Sequence, residues 1–86
     1  MDITHAVAKA LAAQRVIAGV TICRLAEASG IPERTLSRLL SGDAEIKVAQ
    51  LGALARVLGS TTSEIVVEGE RILDRAERRD ESEGRA

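Results

Sequence analysis

The chain has 86 residues, one Cys, no Phe, Tyr or Trp, and a net charge of −1. That length allows one domain at most, burying only about 60% of its unfolded surface. No run approaches the roughly 18 apolar residues of a membrane span, and the lone Cys23 excludes an internal disulfide and fits a reducing cytoplasm. The opening Met-Asp-Ile-Thr-His lacks the basic start of a signal peptide. The core must come from nine Leu, seven Ile, seven Val and many of the fourteen Ala. Small aliphatic side chains with a single Pro favour closely packed helices over sheet.

Five helices are expected. The first spans Ile3 to Ile17, with Ile3, Val7, Ala10, Leu11, Gln14 and Ile17 at helical spacing, and stops at Gly19. Thr21 is a good N-cap for a second helix, Ile22 to Ser29, with Ile22, Leu25 and Ala26 inward. Gly30 ends it in the left-handed conformation. Pro32 then sits at the cap or first position of a third helix, where its missing N–H does no harm; this helix closes at Ser41-Gly42. Ile46 pins the following loop to the core. The fourth helix, Val48 to Leu58, buries Val48, Leu51, Leu54, Ala55 and Leu58 and stops at Gly59. Thr61 and Glu64 have capping-box spacing at the start of a fifth helix, Thr62 to Arg79, whose apolar stripe is Ile65, Val66, Gly69, Ile72, Leu73 and Ala76. Residues 80–86, DESEGRA, have nothing to bury and are expected to be disordered. His5 is expected to be an exposed helix residue and Cys23 a packing or surface thiol.

Charge is divided along the chain. Residues 1–60 hold seven Lys/Arg against five acids, a net of +2, and residues 61–86 hold five Arg against eight acids, a net of −3. A single His and a single Cys give no zinc-ligand spacing, the Gly residues form no phosphate-binding signature, and the carboxylates are scattered. No enzymatic chemistry, cofactor, metal or small-molecule ligand is therefore expected.

The third helix is divided in character. Leu36, Leu39 and Leu40 share one arc at about 100° per residue, while Glu33, Arg34, Ser37, Arg38 and Ser41 occupy the opposite arc with Thr35 at the border. Ala26 and Leu36 fall where the second and third helices cross. A small residue there lets the backbones approach steeply, and Leu36 fills the space beneath, so the third helix projects as a rigid probe of a width suited to the DNA major groove. TICRLAEASGIPERTLSRLLSG, Thr21 to Gly42, closely resembles the Cro/cI-like helix-turn-helix family, also called the xenobiotic-response-element family of bacterial and phage regulators. Leu25-Ala26, Gly30-Ile31, Thr35-Leu36-Ser37-Arg38 and Gly42 stand at its signature positions. The resemblance extends from Ile3 to Val67. It implies an all-α, compact five-helix lambda-repressor-like DNA-binding domain over residues 1–67, with the helix-turn-helix at 22–42 and an extended C-terminal helix.

That resemblance makes the third helix a recognition helix, with Glu33, Arg34, Ser37 and Arg38 as base contacts. Arg suits the O6/N7 pair of guanine, and Glu can accept from a cytosine amine. Arg15, Thr21, Thr35, Ser41 and Lys47 are the expected phosphate contacts. The sequence also departs from the family pattern. Ile22 stands where Gln often contacts the DNA backbone, Leu40 replaces the acid that often pairs with the residue at Arg15, and Asp43 and Glu45 flank Lys47 in the loop. Taken without the family, Arg34 and Arg38 also fit a solvated helix face, and Glu33 fits complementation of the helix dipole.

Ile72, Leu73 and Ala76 extend the fifth-helix stripe beyond a core already complete, so a homodimer through that helix is expected, since isologous dimers are the commonest oligomers. Fraying after Gly69, or folding back onto the domain, are the other fates of that stripe. The expectation is a cytoplasmic, nucleoid-associated, phage-type repressor or Cro-like regulator that occupies a double-stranded DNA operator, with no membrane partner. The alternative is a helix-turn-helix scaffold for protein–protein interaction, as in an antitoxin or adaptor.

Overall fold

Four short helices and one long one follow each other through tight corners: α1 (Ile3–Ala18), α2 (Ile22–Ser29), α3 (Glu33–Ser41), α4 (Val48–Val57) and α5 (Thr62–Gly84). The structure, a computed structural model, describes residues 1–84, and no strand occurs among them. Local hydrogen bonds mark where four of the five helices begin. Asp2 Oδ1 accepts from the His5 N–H at 2.8 Å and Thr21 Oγ1 from the Arg24 N–H at 3.1 Å. Gln50 reaches back to the Lys47 N–H at 3.0 Å, and Thr61 Oγ1 accepts from the Glu64 N–H at 3.1 Å. Each bond satisfies an amide that the first turn of a helix, or its cap, would otherwise leave without a partner. The ends depend on glycine: Gly30 and Gly42 take φ of 76° and 83°, a region that costs an L-residue with a Cβ.

The core is aliphatic throughout. Leu11, Leu25, Leu36 and Leu54 are fully buried, joined by Val7, Ala10, Ala26, Ile31, Leu39, Leu51, Ala55, Leu58 and Ile65. No polar or charged residue is buried among the described residues. Val20, Ile22, Leu40, Ile46, Val66 and Ile72 pack against this cluster from its edges.

Several sequence expectations are corrected. Ile17 is 76% exposed and Ile3 43% exposed, and α1 instead buries Ala6 and Ala8 beside Val7, Ala10 and Leu11. Ile17 falls within the angular span of that arc but in the last turn of α1, where it lines an open hollow with Ala13 and Val67. Val48 is 78% exposed because the loop residue Ile46 already packs against the core at the mouth of α4. The fifth helix does not stop at Arg79 but continues through Gly84, so the expected disordered segment from residue 80 is helical as far as it is described; residues 85 and 86 lie outside the described residues. The extension holds no Pro or β-branched residue, its Glu81 and Glu83 are good helix formers, and Asp74 pairs with Arg78 at 3.2 Å one turn before it.

α5 packs chiefly on α1 and α4. The backbones of α1 and α5 come close at Gly69: a Cβ there would lie 2.9 Å from Val7 Cγ2 and 3.2 Å from Val7 Cα. A glycine inside a helix costs about 1 kcal/mol against Ala, and here it is required because a main-chain atom occupies the space. At Gly52 a Cβ would meet only Thr62 Oγ1 at 3.4 Å. Gly69→Ala should therefore lower stability by the roughly 1–3 kcal/mol typical of overpacking. Gly52→Ala should raise it by about 0.5–1 kcal/mol. Circular dichroism melts of the two variants check the opposite signs.

Candidate nucleic-acid interface

The site is built on α2, the corner at Gly30–Pro32, and α3. Leu25 and Ala26 point inward from α2 and Leu36 and Leu39 from α3, with Ile31 filling the corner. Ser29 braces that corner: its hydroxyl donates to the Ala26 carbonyl and accepts from the Ile31 N–H, both at 3.4 Å. At the other end of α2, the chain turns through 107° from α1. Arg15 Nη1 donates to the Val20 carbonyl at 2.8 Å, so this half-buried guanidinium ties α1 to the residue just before the Thr21 cap.

With its inner face held, α3 exposes Glu33, Arg34, Thr35, Ser37, Arg38 and Ser41. Positions 33, 34, 37 and 38 form two adjacent rows on one side. The ion pairs among the described residues all lie on α5 (Glu68–Arg71, Glu68–Arg75 and Asp74–Arg78), so Glu33, Arg34, Arg38 and Lys47 present their charges to solvent. Pro32 caps α3 without a side-chain bond, leaving the first amides of the helix open beside Glu33. The segment 21–42 carries Arg24, Arg34 and Arg38 against Glu27 and Glu33, whereas the acid-rich α5 packs on other helices. The chain's acidic excess therefore lies on α5 and not on the segment that carries α3.

The expected phosphate contacts differ in readiness. Thr21 and Thr35 are exposed, and Thr21, accepting as a cap, keeps its O–H proton available. Lys47 is exposed at the start of α4. Arg15 has donors left after its bond to Val20. Ser41, by contrast, is bonded locally: its Oγ lies 2.9 Å from Asp43 Oδ2 and 3.1 Å from the Arg38 carbonyl, so its proton is engaged within the α3 corner. The expected dimer residues are split. Ile72 packs against the chain's own core, and Leu73 and Ala76 are half-buried further along α5. Among the described residues, no group of His, Cys, Asp and Glu is arranged to hold a metal ion.

Three elements escaped the sequence reading. Asp2, the cap of α1, was signalled by an Asp immediately before a helical repeat. The Arg15–Val20 bond and the contact of His5 with Gly42 join residues from separate elements, and no local pattern announces either.

A short helix packed across a second one, with its outer rows polar and its inner row leucine, defines a helix-turn-helix DNA-binding domain. The chain matches the helix-turn-helix family over residues 11–65 and belongs to it. It is thereby a DNA-binding protein of the transcription-regulator class. Two solved structures of the clp gene regulator ClgR from Corynebacterium glutamicum are similar. One superposes with a TM-score of 0.86 at 27% identity, over 96% of this chain and 89% of that one. The other gives 0.78 at 30% identity, over 81% and 90%. No curated protein sequence gives a significant match. No single helix among the described residues is long and apolar enough to cross a membrane.

Thr21→Val removes the acceptor that caps α2 without opening a cavity, because Thr21 is exposed. It should cost about 1 kcal/mol, a fall in thermal midpoint of roughly 4–8 °C for a domain of this size. A calorimetric scan of the variant checks this.

Proposed function

We propose that the protein is a sequence-specific, double-stranded DNA-binding regulator that acts by occupying an operator. The observation that carries this reading is the division of α3: Leu36 and Leu39 are buried while Glu33, Arg34, Ser37 and Arg38 stand exposed on one side. Arg34 and Arg38 suit bidentate recognition of guanine, Glu33 suits a cytosine amine, and Ser37 discriminates less because it donates and accepts. Thr21, Thr35 and Lys47 contact phosphate directly. Arg15 does so with the donors not used on Val20, and Ser41 after releasing Asp43.

A homodimer through α5 completes the proposal. α5 has 23 residues, about 34 Å of helix, in a molecule 47 Å long and 22 Å across, so its end runs beyond the domain. Leu73 and Ala76, with the exposed part of Ile72, form the contact stripe. Two recognition helices about one DNA turn apart, roughly 34 Å, then read a palindrome. Occupancy of such a site in the cytoplasm suffices for repression of the phage-repressor or Cro type, with no chemistry required of the protein.

A second reading has its own support: the helix-turn-helix serves as a scaffold for a protein partner. Val16 and Ile17 are 67% and 76% exposed on α1, Ile17 lines one hollow with Val67, itself 46% exposed on α5, and Asp43 and Glu45 flank Lys47 in the loop after α3.

Fluorescence anisotropy with duplexes from the gene's own upstream region, at several salt concentrations, separates the two. The DNA reading expects saturable binding to one duplex, far tighter than to a scrambled one, that weakens steeply with salt. Weak, sequence-blind binding to every duplex contradicts it. Arg38→Ala should cost about 1–3 kcal/mol and relax discrimination at one position, whereas Lys47→Ala should weaken all duplexes alike and reduce the salt slope by about 1. For the dimer, sedimentation equilibrium should give twice the chain mass for the wild type and the chain mass for Leu73→Glu. A wild type that sediments as a monomer contradicts this part alone.

A further inference from the structure

One contact links the first turn of α1 directly to the end of α3. The His5 N–H is held by Asp2 Oδ1 at 2.8 Å, which fixes the residue in the capped turn, and its side chain crosses to Gly42. A Cβ built on Gly42 would lie 2.8 Å from Nε2, 2.9 Å from Cε1 and 3.0 Å from Cδ2 of His5. The far edge of the imidazole therefore bears on the glycine's main chain. Gly42 belongs to the corner that closes α3, where the Gly42 N–H donates to the Leu39 carbonyl at 3.2 Å and the Asp43 N–H to the Arg38 carbonyl at 3.0 Å. Two independent demands make this position glycine: its φ of 83° and the ring lying against it.

The mechanical consequence concerns tilt. α3, a helix of nine residues, is supported by Ile31 in the corner before it, by the fully buried Leu36 and Leu39, and by Leu40 at the edge of the core. None of these lies beyond residue 40, so no core residue of α3 braces its last residue, Ser41. His5 adds a support at that C-terminal end, against Gly42. A hydrogen bond to a base edge tolerates only a few tenths of an ångström in length, and Arg38 lies one turn before Gly42.

We propose that His5 is a positioning residue for DNA recognition: by bearing on Gly42 it sets the tilt of α3 and so the reach of Arg38 to a base edge. This rests on the reading of α3 as the recognition helix. His5 is itself exposed, so its removal touches attitude more than stability, as surface substitutions generally do.

The test measures duplex affinity and thermal midpoint for His5→Ala and His5→Gln, and repeats His5→Ala in Arg38→Ala and Arg34→Ala backgrounds. His5→Ala is expected to weaken the selected duplex about five- to tenfold, part of what a bidentate base contact contributes, while the midpoint stays within about 4 °C. His5→Gln, whose terminal amide reaches the position of Nε2, restores affinity. The effect disappears in the Arg38→Ala background and persists in Arg34→Ala, the pattern of residues that act together. Unchanged affinity in His5→Ala, or an equal loss in both arginine backgrounds, overturns the proposal while leaving the DNA reading intact. A wild type that selects no duplex overturns the DNA reading and this proposal with it.

Discussion

Leu36, wholly buried against α2 where Ala26 sits at 8% exposure, is the constraint on which the rest depends. A larger residue at position 26 would push the helices apart, and a smaller one at 36 would leave a cavity costing about 2–5 kcal/mol, a large share of the stability of so small a domain. Because this crossing is filled, α3 needs none of its outer side chains for folding. Glu33, Arg34, Ser37 and Arg38 are left to solvent and to a ligand. The same economy appears in the electrostatics, since the ion pairs of the described chain are confined to α5 and those exposed pairs contribute little to stability.

Around this crossing the molecule fastens the probe from several sides. Ser29 braces the corner before α3, Arg15 ties α1 to the start of α2, and His5 bears on Gly42 after α3. α1 is therefore the frame for the helix-turn-helix. It is backed in turn by α5, which approaches so closely that Gly69 leaves no room for a side chain over Val7. The acidic helix is thus placed behind the frame while α3 projects from it, which reconciles a net charge of −1 with a nucleic-acid surface. Net charge describes the whole chain, whereas a phosphate responds within about a Debye length, roughly 8–10 Å.

Much of this was legible in the sequence because it is local. Thr21 announced α2, Gly30 and Gly42 announced the corners, and the alternation of Leu36, Leu39 and Leu40 with Arg34 and Arg38 announced which side of α3 faces inward. Hydrophobic periodicity misled at helix ends: Ile17 in the last turn of α1 and Val48 at the start of α4 continue their repeats but are left uncovered, since burial is decided by what lies opposite. The length of α5 was underestimated because its charged end was judged by what it cannot bury, although Glu extends an existing helix at little cost. The contact of His5 with Gly42 spans 37 residues of sequence, and no local signal encodes it.

The most direct test of the account is selection from a random duplex pool by the wild-type protein and, in parallel, by Arg38→Ala, followed by sequencing. If α3 reads bases through its exposed rows, the wild type will enrich one motif, and the variant will enrich the same motif made degenerate at the position Arg38 reads. Enrichment of no motif by the wild type, or of an identical motif by both proteins, would contradict the claim that this face of α3 carries the recognition.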